Sequence, residues 1–287
     1  MTESGGILLL GASSYVGRFL LPRLTGESVT ALSRVAQPPM PGVRWVEGDL
    51  ADPKTLDGIG SVQRVFSVSS IWLLPAALPR LRALGMNRLV AVSSTSRFTK
   101  QQSTSDYERQ VVEALAEGEA AVESFCCAYG IGFTILRPTL IYAEGQDANV
   151  SRIAGLIRRL GVFPLAGAGR GLRQPVHASD LAAVALAAMQ RPATNRAYDV
   201  PGGETLTYRA MVERIFEGMG RAPRVLPLPL SLIRLGYALA KPLLPGSRAE
   251  MIGRMNDDLV FDPADARRDL DWSPRDFHPR FQPERSD

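Results

Sequence analysis

The stretch that decides the fold reads Ile7-Leu8-Leu9-Leu10-Gly11-Ala12-Ser13-Ser14-Tyr15-Val16-Gly17-Arg18-Phe19-Leu20. An apolar run of strand length meets a glycine turn, and a helical pattern follows at once. Gly11 allows the chain to turn sharply out of the strand, and Gly17 has no side chain, so that the helix can lie close to the sheet. The free N–H groups and the positive end of such a helix favour phosphate. The stretch therefore predicts a strand–turn–helix unit that binds the pyrophosphate of a dinucleotide.

The spacing of this turn is G-x-x-S-x-x-G, with a serine where a middle glycine is expected. We expect the turn to supply six cofactor-binding residues: Gly11, Ser13, Ser14, Tyr15, Val16 and Gly17. The alternative is an ordinary strand-to-helix turn at the start of an α/β domain, and Ser14 leaves the fit to the pyrophosphate open.

The second predicted strand, 29–32, ends in Ser33 and Arg34, about twenty residues past the glycine turn, where a dinucleotide fold reads the adenosine ribose. An acidic residue there would accept hydrogen bonds from the 2′-hydroxyl and reject a 2′-phosphate. Ser33 and Arg34 can instead donate to a phosphate, which favours NADP, with NAD as the alternative. A solvated arginine at a strand end is the other interpretation.

Composition is that of an ordinary globular protein: 287 residues, 45% hydrophobic, 22% charged and a net charge of +4. The arginines are scattered, without a basic stripe interleaved with aromatics, so no nucleic-acid partner is predicted. No run of eighteen uncharged apolar residues occurs, which predicts no membrane span.

Cys126 and Cys127 are adjacent on a predicted helix and are expected to be unpaired core residues in a reducing compartment. We expect a cytoplasmic location.

Six predicted strands alternate with helical segments along the first half of the chain, at 7–10, 29–32, 43–46, 62–68, 88–92 and 133–136. The longest helix is predicted from about Asp106 to Tyr129. This alternation predicts an α/β fold, a Rossmann-type doubly wound parallel sheet, with a smaller C-terminal substrate lobe. We expect 1–140 plus about 171–200 to form the NAD(P)-binding domain, and about 141–170 plus 201–287 the substrate lobe. Within that lobe, 161–171 is expected to be a loop and 224–245 a helix packed on the core, with a peripheral membrane or partner surface as the alternative.

Motifs across nearly the whole chain resemble those of the extended short-chain dehydrogenase/reductase superfamily, of the NAD-dependent epimerase/dehydratase type. The markers are the glycine turn, Gly48-Asp49-Leu50, Ser93-Ser94, Leu136-Arg137-Pro138, Pro175-Val176-His177-Ala178-Ser179-Asp180 and the closing 262–274 segment. This resemblance implies that Asp49 and Leu50 frame the adenine and that Val68 and Ser69 lie along the inner part of the cofactor. It also implies cofactor contacts for Ser93 and Pro138, and a homodimer, as is usual in the family.

Members of this family transfer hydride while a tyrosine, helped by a lysine four residues on, moves the proton. The resemblance assigns Thr95 to hold the substrate oxygen, with Ser94 as the nearest alternative, although Ser and Thr at a strand end often only cap backbone groups. The tyrosine and lysine positions fall on Leu115 and Glu119. The usual acid/base is therefore missing, which marks an atypical member.

Other residues could replace the missing acid. Tyr107 opens the same helix and is a catalytic candidate, with Lys100, Tyr142 or a water as the other options. The only Tyr-x-x-x-Lys of the sequence, Tyr237 to Lys241, lies in the apolar C-terminal stretch and is interpreted as coincidental.

A second set of residues resembles the substrate site of the family's nucleotide-sugar branch. Arg173, His177 and Asp180 match an R-x-x-x-H-x-x-D pattern in which the arginine contacts a nucleotide diphosphate, and Asn149 and Arg254 stand at two further substrate-contact positions. For Arg173 a surface ion pair is an equal alternative, and His177 and Asp180 are expected to cap and pack the following helix.

Two functions follow from these patterns. The first is an NAD(P)-dependent oxidoreductase or epimerase acting on a nucleotide-linked keto sugar or a similar small molecule, without a metal. The second is a non-catalytic NAD(P)-binding redox sensor or assembly subunit.

Overall fold

A computed structural model describes residues 6–101, 103, 105–233 and 254–281. The chain divides into two compact units. Unit 1 comprises 1–138, 178–200 and 262–273, and unit 2 comprises 139–177, 201–261 and 274–287. The two-lobe division expected from the sequence stays a prediction, and each unit is described below by itself.

Unit 1 is built on a seven-stranded parallel sheet. Its strands are β1 (Gly6–Leu10), β2 (Val29–Ser33), β3 (Val43–Glu47), β4 (Val62–Ser67), β5 (Arg88–Val92), β6 (Gly132–Pro138) and β11 (Arg196–Val200). They lie in the order β11-β6-β5-β4-β1-β2-β3. The chain thus reverses direction across the sheet at β1, which pairs with both β2 and β4. This is the doubly wound α/β arrangement that the sequence predicts, and that prediction is confirmed.

Helices cover this sheet. They are α1 (Tyr15–Leu20), α2 (Leu74–Ala83), α3 (Ser96–Thr99), α4 (Asp106–Tyr129), α6 (Ala178–Gln190) and α8 (Ala264–Leu270), with 3-10 turns at Leu21–Leu24, Pro53–Leu56 and Ile71–Leu73. Strand residues such as Leu8 and Val65 are fully buried with Leu81, Leu115 and Val122 of the helices. Because β1 and β5 are buried on both faces, their residues Ile7–Leu10 and Leu89–Val92 form continuous apolar runs in the sequence.

Unit 2 has short strands around its own core. Its elements are β7 (Ile141–Tyr142), α5 (Val150–Leu160), β8 (Phe163–Ala166), β9 (Leu172–Arg173), β10 (Val176–His177), β12 (Leu206–Thr207), α7 (Tyr208–Gly218) and β13 (Val225–Leu228). They pair as β10 with β7, β12 with β9 and β13 with β8. Tyr142, Ile157, Met211 and Phe277 are among the residues buried in its core.

Three sequence predictions are wrong in detail. The expected 161–171 loop contains the strand β8, and the start of the expected 224–245 helix is the strand β13. The two segments form strands because they supply each other's backbone hydrogen bonds. Residues 234–245 of that expected helix, with Tyr237 and Lys241, lie outside the described residues. Cys126 is buried as expected and its burial raises the pKa of its thiol to about 12, but Cys127 is exposed. Within the described ranges, no helix is long and apolar enough to cross a membrane.

Candidate functional site

The glycine turn lies at the point where the sheet reverses direction, between β2 and β4. Gly11 has φ +78°, and a Cβ there would lie 2.9 Å from the Ser69 N atom and 3.0 Å from the Val68 carbonyl carbon. Only glycine allows the first turn to approach the end of β4 this closely. The two loops therefore form the two sides of one crevice at the carboxyl edge of the sheet, where doubly wound folds bind ligands.

Ser14 caps the helix that follows. Its Oγ accepts a hydrogen bond from Gly17 N at 3.0 Å, and a Cβ on Gly17 would lie 2.5 Å from the Gly11 and Ala12 carbonyl oxygens. The serine in the middle-glycine position thus fixes the start of α1. The N–H group of Ser13 has no acceptor among the described residues, so it is available at the crevice. Because α1 has only six residues, its dipole contributes little, and backbone donors are what the turn offers.

A cavity of about 370 Å³ lies at this edge of unit 1, within the size range of small-molecule sites. Nine residues expected from the sequence to bind a cofactor line it: Gly11, Ser13, Ser14, Ser33, Arg34, Asp49, Leu50, Val68 and Ser69. Five others of that set are not on its wall: Tyr15, Val16, Gly17, Ser93 and Pro138. The sequence reasoning missed Leu32, Gly48, Ser70 and Leu73 as lining residues, although Gly48 belongs to a motif that it quoted.

The end of β2 presents hydroxyls and one guanidinium to this cavity. Ser33 is buried, and its Oγ lies 3.1 Å from the Ser13 Oγ and donates to the Val35 carbonyl at 2.8 Å. Arg34 is exposed, and its guanidinium makes no hydrogen bond within the part of the chain that the structure describes. On the neighbouring loop, Asp49 is exposed on the cavity wall and accepts the Ala51 N–H. This corner can therefore donate hydrogen bonds to an anion.

A buried carboxylate occupies the position where the family pattern places a lysine. Glu119 of α4 is 2% exposed and accepts hydrogen bonds from the Ser93 Oγ (2.5 Å), the Arg137 Nε (3.0 Å) and Nη2 (2.5 Å), and an Arg97 guanidinium nitrogen. Ser93 and Arg137 lie at the carboxyl ends of β5 and β6, on the same sheet edge as Gly11. We call these four residues the Glu119 cluster. The cluster holds a carboxylate between two guanidinium groups.

The charged groups of this cluster are paired with one another, and its carboxylate is buried. The Arg137 Nη1 also lies 3.9 Å from Asp199 Oδ1, and burial raises the pKa of Asp199, with Arg137 acting in the opposite direction and Glu119 adding to the rise. One turn before Glu119, Leu115 occupies the tyrosine position and is 3% exposed in the hydrophobic core. A leucine in the core and a glutamate fixed by three side chains cannot supply a phenol activated by an ammonium group.

The three catalytic candidates from the sequence have other contacts or lie in solvent. The Thr95 Oγ1 donates to the Pro138 carbonyl at 3.1 Å, and the Ser94 Oγ accepts from Ser96 N at 3.1 Å. Both hydroxyls thus hold backbone at the end of β5 and β6. Tyr107 is 52% exposed at the start of α4. The Lys100 ammonium pairs with Glu108 at 3.4 Å.

The substrate-site candidates all lie in unit 2. Arg173 is 4% exposed, and its guanidinium donates to the carbonyls of Leu172 (2.8 Å), Asp257 (2.6 Å) and Arg254. Burial lowers the pKa of Arg173, and the three carbonyls account for its position without a ligand. The Asn149 N–H donates to Asp147 Oδ1 at 2.7 Å.

Two further residues of the pattern are placed by protein contacts. The His177 ring lies 3.1 Å from the Glu144 carboxylate and meets the Tyr142 ring edge-on at 5.0 Å, while Asp180 falls in the first turn of α6. Among the described residues, no three His, Cys, Asp or Glu side chains are grouped as metal ligands.

Comparison with known proteins shows the fold and a family to which part of the chain is similar. Residues 76–200 match the NAD dependent epimerase/dehydratase family. The UDP-glucose 4-epimerase of Thermotoga maritima superposes with a TM-score of 0.69 at 17% identity, covering 94% of each chain. The UDP-glucuronic acid 4-epimerase of Bacillus cereus, solved with UDP-glucuronic acid and NAD, superposes with a TM-score of 0.71 at 14% identity, covering 95% of this chain and 94% of that one.

A curated relative has a different description. It is NADH dehydrogenase [ubiquinone] 1 alpha subcomplex subunit 9, mitochondrial, of Arabidopsis thaliana, which is 27% identical over 201 residues. The match covers 64% of this chain and 44% of that protein, so the chain spans less than half the length of this relative. Residues 76–200, less than half of the chain, are thus similar to the NAD dependent epimerase/dehydratase family, and the chain shares the fold of the two 4-epimerases.

Proposed function

We propose that this chain binds a nicotinamide dinucleotide, preferentially NADP(H), as a sensor or assembly subunit rather than as a hydride-transferring enzyme. The observation that carries this proposal is the Glu119 cluster, in which a paired carboxylate stands where the family pattern requires a lysine, with the buried Leu115 at the tyrosine position. In this proposal the protein is cytoplasmic.

The cavity of unit 1 supports dinucleotide binding. Gly11 keeps the crevice between the first turn and Ser69 free of side chains, and Ser13 offers a backbone N–H group there. Those features suit a pyrophosphate, which is bulky, anionic and held by backbone donors in this fold. The exposed guanidinium of Arg34, with Ser33 and Ser13 behind it, suits a 2′-phosphate.

The Glu119 cluster argues against the family's usual hydride transfer. A carbonyl oxygen must be protonated or hydrogen-bonded as negative charge develops on it, and a lysine near the tyrosine lowers the barrier to that proton transfer. In the Glu119 cluster the carboxylate is paired with both guanidinium groups and supplies no ammonium group beside a phenol, and the Thr95 hydroxyl is bound to a backbone carbonyl. The arrangement favours a cofactor that is bound without being turned over.

The curated relative supports the same choice. Its name describes it as a subunit of an NADH dehydrogenase subcomplex, and this chain aligns with less than half of it. Of the two roles in this proposal, sensor and assembly subunit, the assembly subunit is the one that the curated relative supports.

A second candidate function is the oxidation, reduction or epimerisation of a nucleotide-linked keto sugar by a homodimer. The structural neighbours include proteins described with UDP-sugars and NAD, and Asn149, Arg173 and Arg254 occupy the positions that the family pattern assigns to the sugar nucleotide. The paired Arg173 guanidinium weakens this candidate, because its nitrogens already donate to three carbonyls.

One set of measurements separates the two functions. NADPH is titrated calorimetrically into the full chain, and the same protein is then assayed for NADPH oxidation with a panel of 4-keto nucleotide sugars. We expect saturable binding and no turnover, with Thr95→Ala unchanged in both. Turnover that Thr95→Ala abolishes would establish the enzyme instead, and absence of binding would rule out both functions.

A further inference from the structure

The two arginines of the Glu119 cluster use their guanidinium groups differently. Arg137 holds the carboxylate with one side of its fork, because its Nε and Nη2 both donate to Glu119, at 3.0 and 2.5 Å. Arg97 donates to the same carboxylate through Nη1. Among the residues that the structure describes, the Nε and Nη2 of Arg97 have no acceptor. The side of the fork that binds a carboxylate in Arg137 is therefore unused in Arg97.

This unused side is suited to one more carboxylate. The Nε–H and Nη2–H bonds of an arginine are parallel, and they match the two oxygens of a carboxylate in a pair of charge-assisted hydrogen bonds. Arg137 and Glu119 pair in this way, so the same geometry already occurs within the cluster. A lysine ammonium is a point charge without such a fork.

The charge of Arg97 is also less well matched than that of Arg137. Both guanidinium groups share the single charge of Glu119, which is buried. Arg137 has a second carboxylate nearby, because its Nη1 lies 3.9 Å from Asp199 Oδ1. Arg97 forms no second ion pair in the described parts of the chain, and its side chain is 29% exposed. A dissolved anion can therefore reach this guanidinium group.

An exposed aromatic ring lies beside both guanidinium groups. The Arg137 and Arg97 Cζ atoms lie 5.2 and 5.6 Å from the centroid of the Phe98 ring. Phe98 is 41% exposed, so its ring offers apolar surface next to the charge of Arg97. Small-molecule sites combine apolar surface with a few placed polar groups in this manner. The pairing of ring and guanidinium favours an organic anion over an inorganic one.

The Glu119 cluster lies next to the cavity of unit 1, on the same edge of the sheet. Ser67 of β4 pairs with Ala91 of β5. Two residues farther along each segment are Ser69, which lines the cavity, and Ser93, which belongs to the cluster. Arg97 is not on the wall of that cavity. The unused side of Arg97 is thus separate from the residues proposed to hold the dinucleotide.

We propose that Arg97, with Phe98 beside it, binds the carboxylate of a small aromatic organic acid. The Nε and Nη2 of Arg97 donate to the two carboxylate oxygens, and the Phe98 ring contacts the body of the ligand. Glu119 holds the guanidinium group through Nη1, which keeps the other side of the fork in place. This binding is a function additional to dinucleotide binding and does not depend on it.

An NMR titration of the full chain without cofactor tests this proposal. The probe is benzoate, a planar carboxylate on a ring, and benzamide is its uncharged analogue. We expect saturable binding of benzoate that shifts the assigned Nε–H signal of Arg97. Benzamide should bind at least about tenfold more weakly, because its single carbonyl oxygen is uncharged and cannot accept both hydrogen bonds in parallel.

Two variants give the test its specificity. Arg97→Lys keeps a cation beside Glu119 but lacks the fork, so we expect benzoate to bind to it at least about tenfold more weakly. Arg64→Gln is the matched control, because the Arg64 side chain is also 29% exposed and paired with one carboxylate, that of Glu27. This control should bind benzoate as the native protein does. Circular dichroism checks that each variant is folded.

The native protein alone can overturn the proposal, whether or not Arg97→Lys folds. Absence of saturable benzoate binding, or binding that leaves the Arg97 Nε–H signal unshifted, would do so. Benzamide or inorganic phosphate that binds as tightly as benzoate would also contradict a site for an organic carboxylate. Equal benzoate binding by folded Arg97→Lys and the native protein would show that the fork of Arg97 does not hold the ligand.

Discussion

Replacing Glu119 by glutamine tests the physical basis of the Glu119 cluster. The change keeps the size of the side chain but removes the negative charge that holds Arg97 and Arg137. The NH₂ group of the glutamine would face hydrogen-bond donors, so it could not accept their hydrogen bonds. Removing one partner of a buried ion pair costs about 3–5 kcal/mol. The side chains of Arg97 and Arg137 are 29% and 19% exposed, so water offsets part of that cost. We therefore expect E119Q to lose about 2–4 kcal/mol in the free energy of unfolding.

Urea unfolding followed by circular dichroism measures this loss, and calorimetry should place the Tm of E119Q roughly 4–16 °C lower. Glu117→Gln, an exposed change on the same helix, is the control and should stay within about 0.5 kcal/mol of native. Glu119→Lys, which introduces the family's lysine between two guanidinium groups, should be less stable than E119Q. If E119K is as stable as the native protein, the argument that this cluster excludes the usual catalytic lysine is refuted.

Three further predictions concern other parts of the molecule. Gly11→Ala should abolish NADPH binding and cost about 1–3 kcal/mol of stability, whereas Gly26→Ala, at a similar φ but with open space around it, should cost stability without affecting binding, as calorimetry can show. Arg34→Glu should weaken NADPH binding by about tenfold or more and leave NADH binding nearly unchanged, with Arg44→Glu on the next strand as the control; equal loss for both cofactors would contradict a 2′-phosphate contact. Burial raises the pKa of Glu144, but hydrogen bonds from His177, from its own N–H and from Arg280 N hold it below the ordinary 4.5. The stabilisation is therefore present above that pH and is lost as pH falls through the folded-state pKa, so Glu144→Gln should destabilise the protein at neutral pH and progressively less below pH 4.5; a stability difference that does not change with pH would contradict this account.

The sheet of unit 1 was predictable because its strands are short apolar runs separated by turn and helix signals. The seventh strand, Arg196–Val200, was missed because it carries arginine, tyrosine and aspartate and pairs only with β6 at the edge. The β8–β13 pair was missed for a different reason. Each strand contains proline, and the glycines around β8 resemble a loop, so the pairing is decided by contact between segments about sixty residues apart.

The residues around the glycine turn could be predicted from the sequence, whereas the contacts of the Glu119 cluster, at the ends of β5 and β6, could not. Local spacing alone located Gly11, Ser33 and Arg34, which share one cavity wall. The sequence also placed a glutamate where the lysine belongs, but it could not show what surrounds that glutamate. Arg97 and Arg137 lie 22 and 18 residues away in the chain, and the fold alone brings their guanidinium groups to Glu119. Arg137 belongs to the Leu136-Arg137-Pro138 motif, and this motif is the one sequence signal that pointed to an arginine of the cluster.

The central claim is that this chain binds NADP(H) without reacting it, and one calorimetric titration tests it most directly. NADPH and NADH are each titrated into the full native chain, and the recovered NADPH is checked for oxidation after incubation with a keto nucleotide sugar. We predict one site per chain, NADPH bound at least about tenfold more tightly than NADH, and unoxidised cofactor on recovery. Absence of binding heat, tighter binding of NADH, or oxidised cofactor would contradict the account.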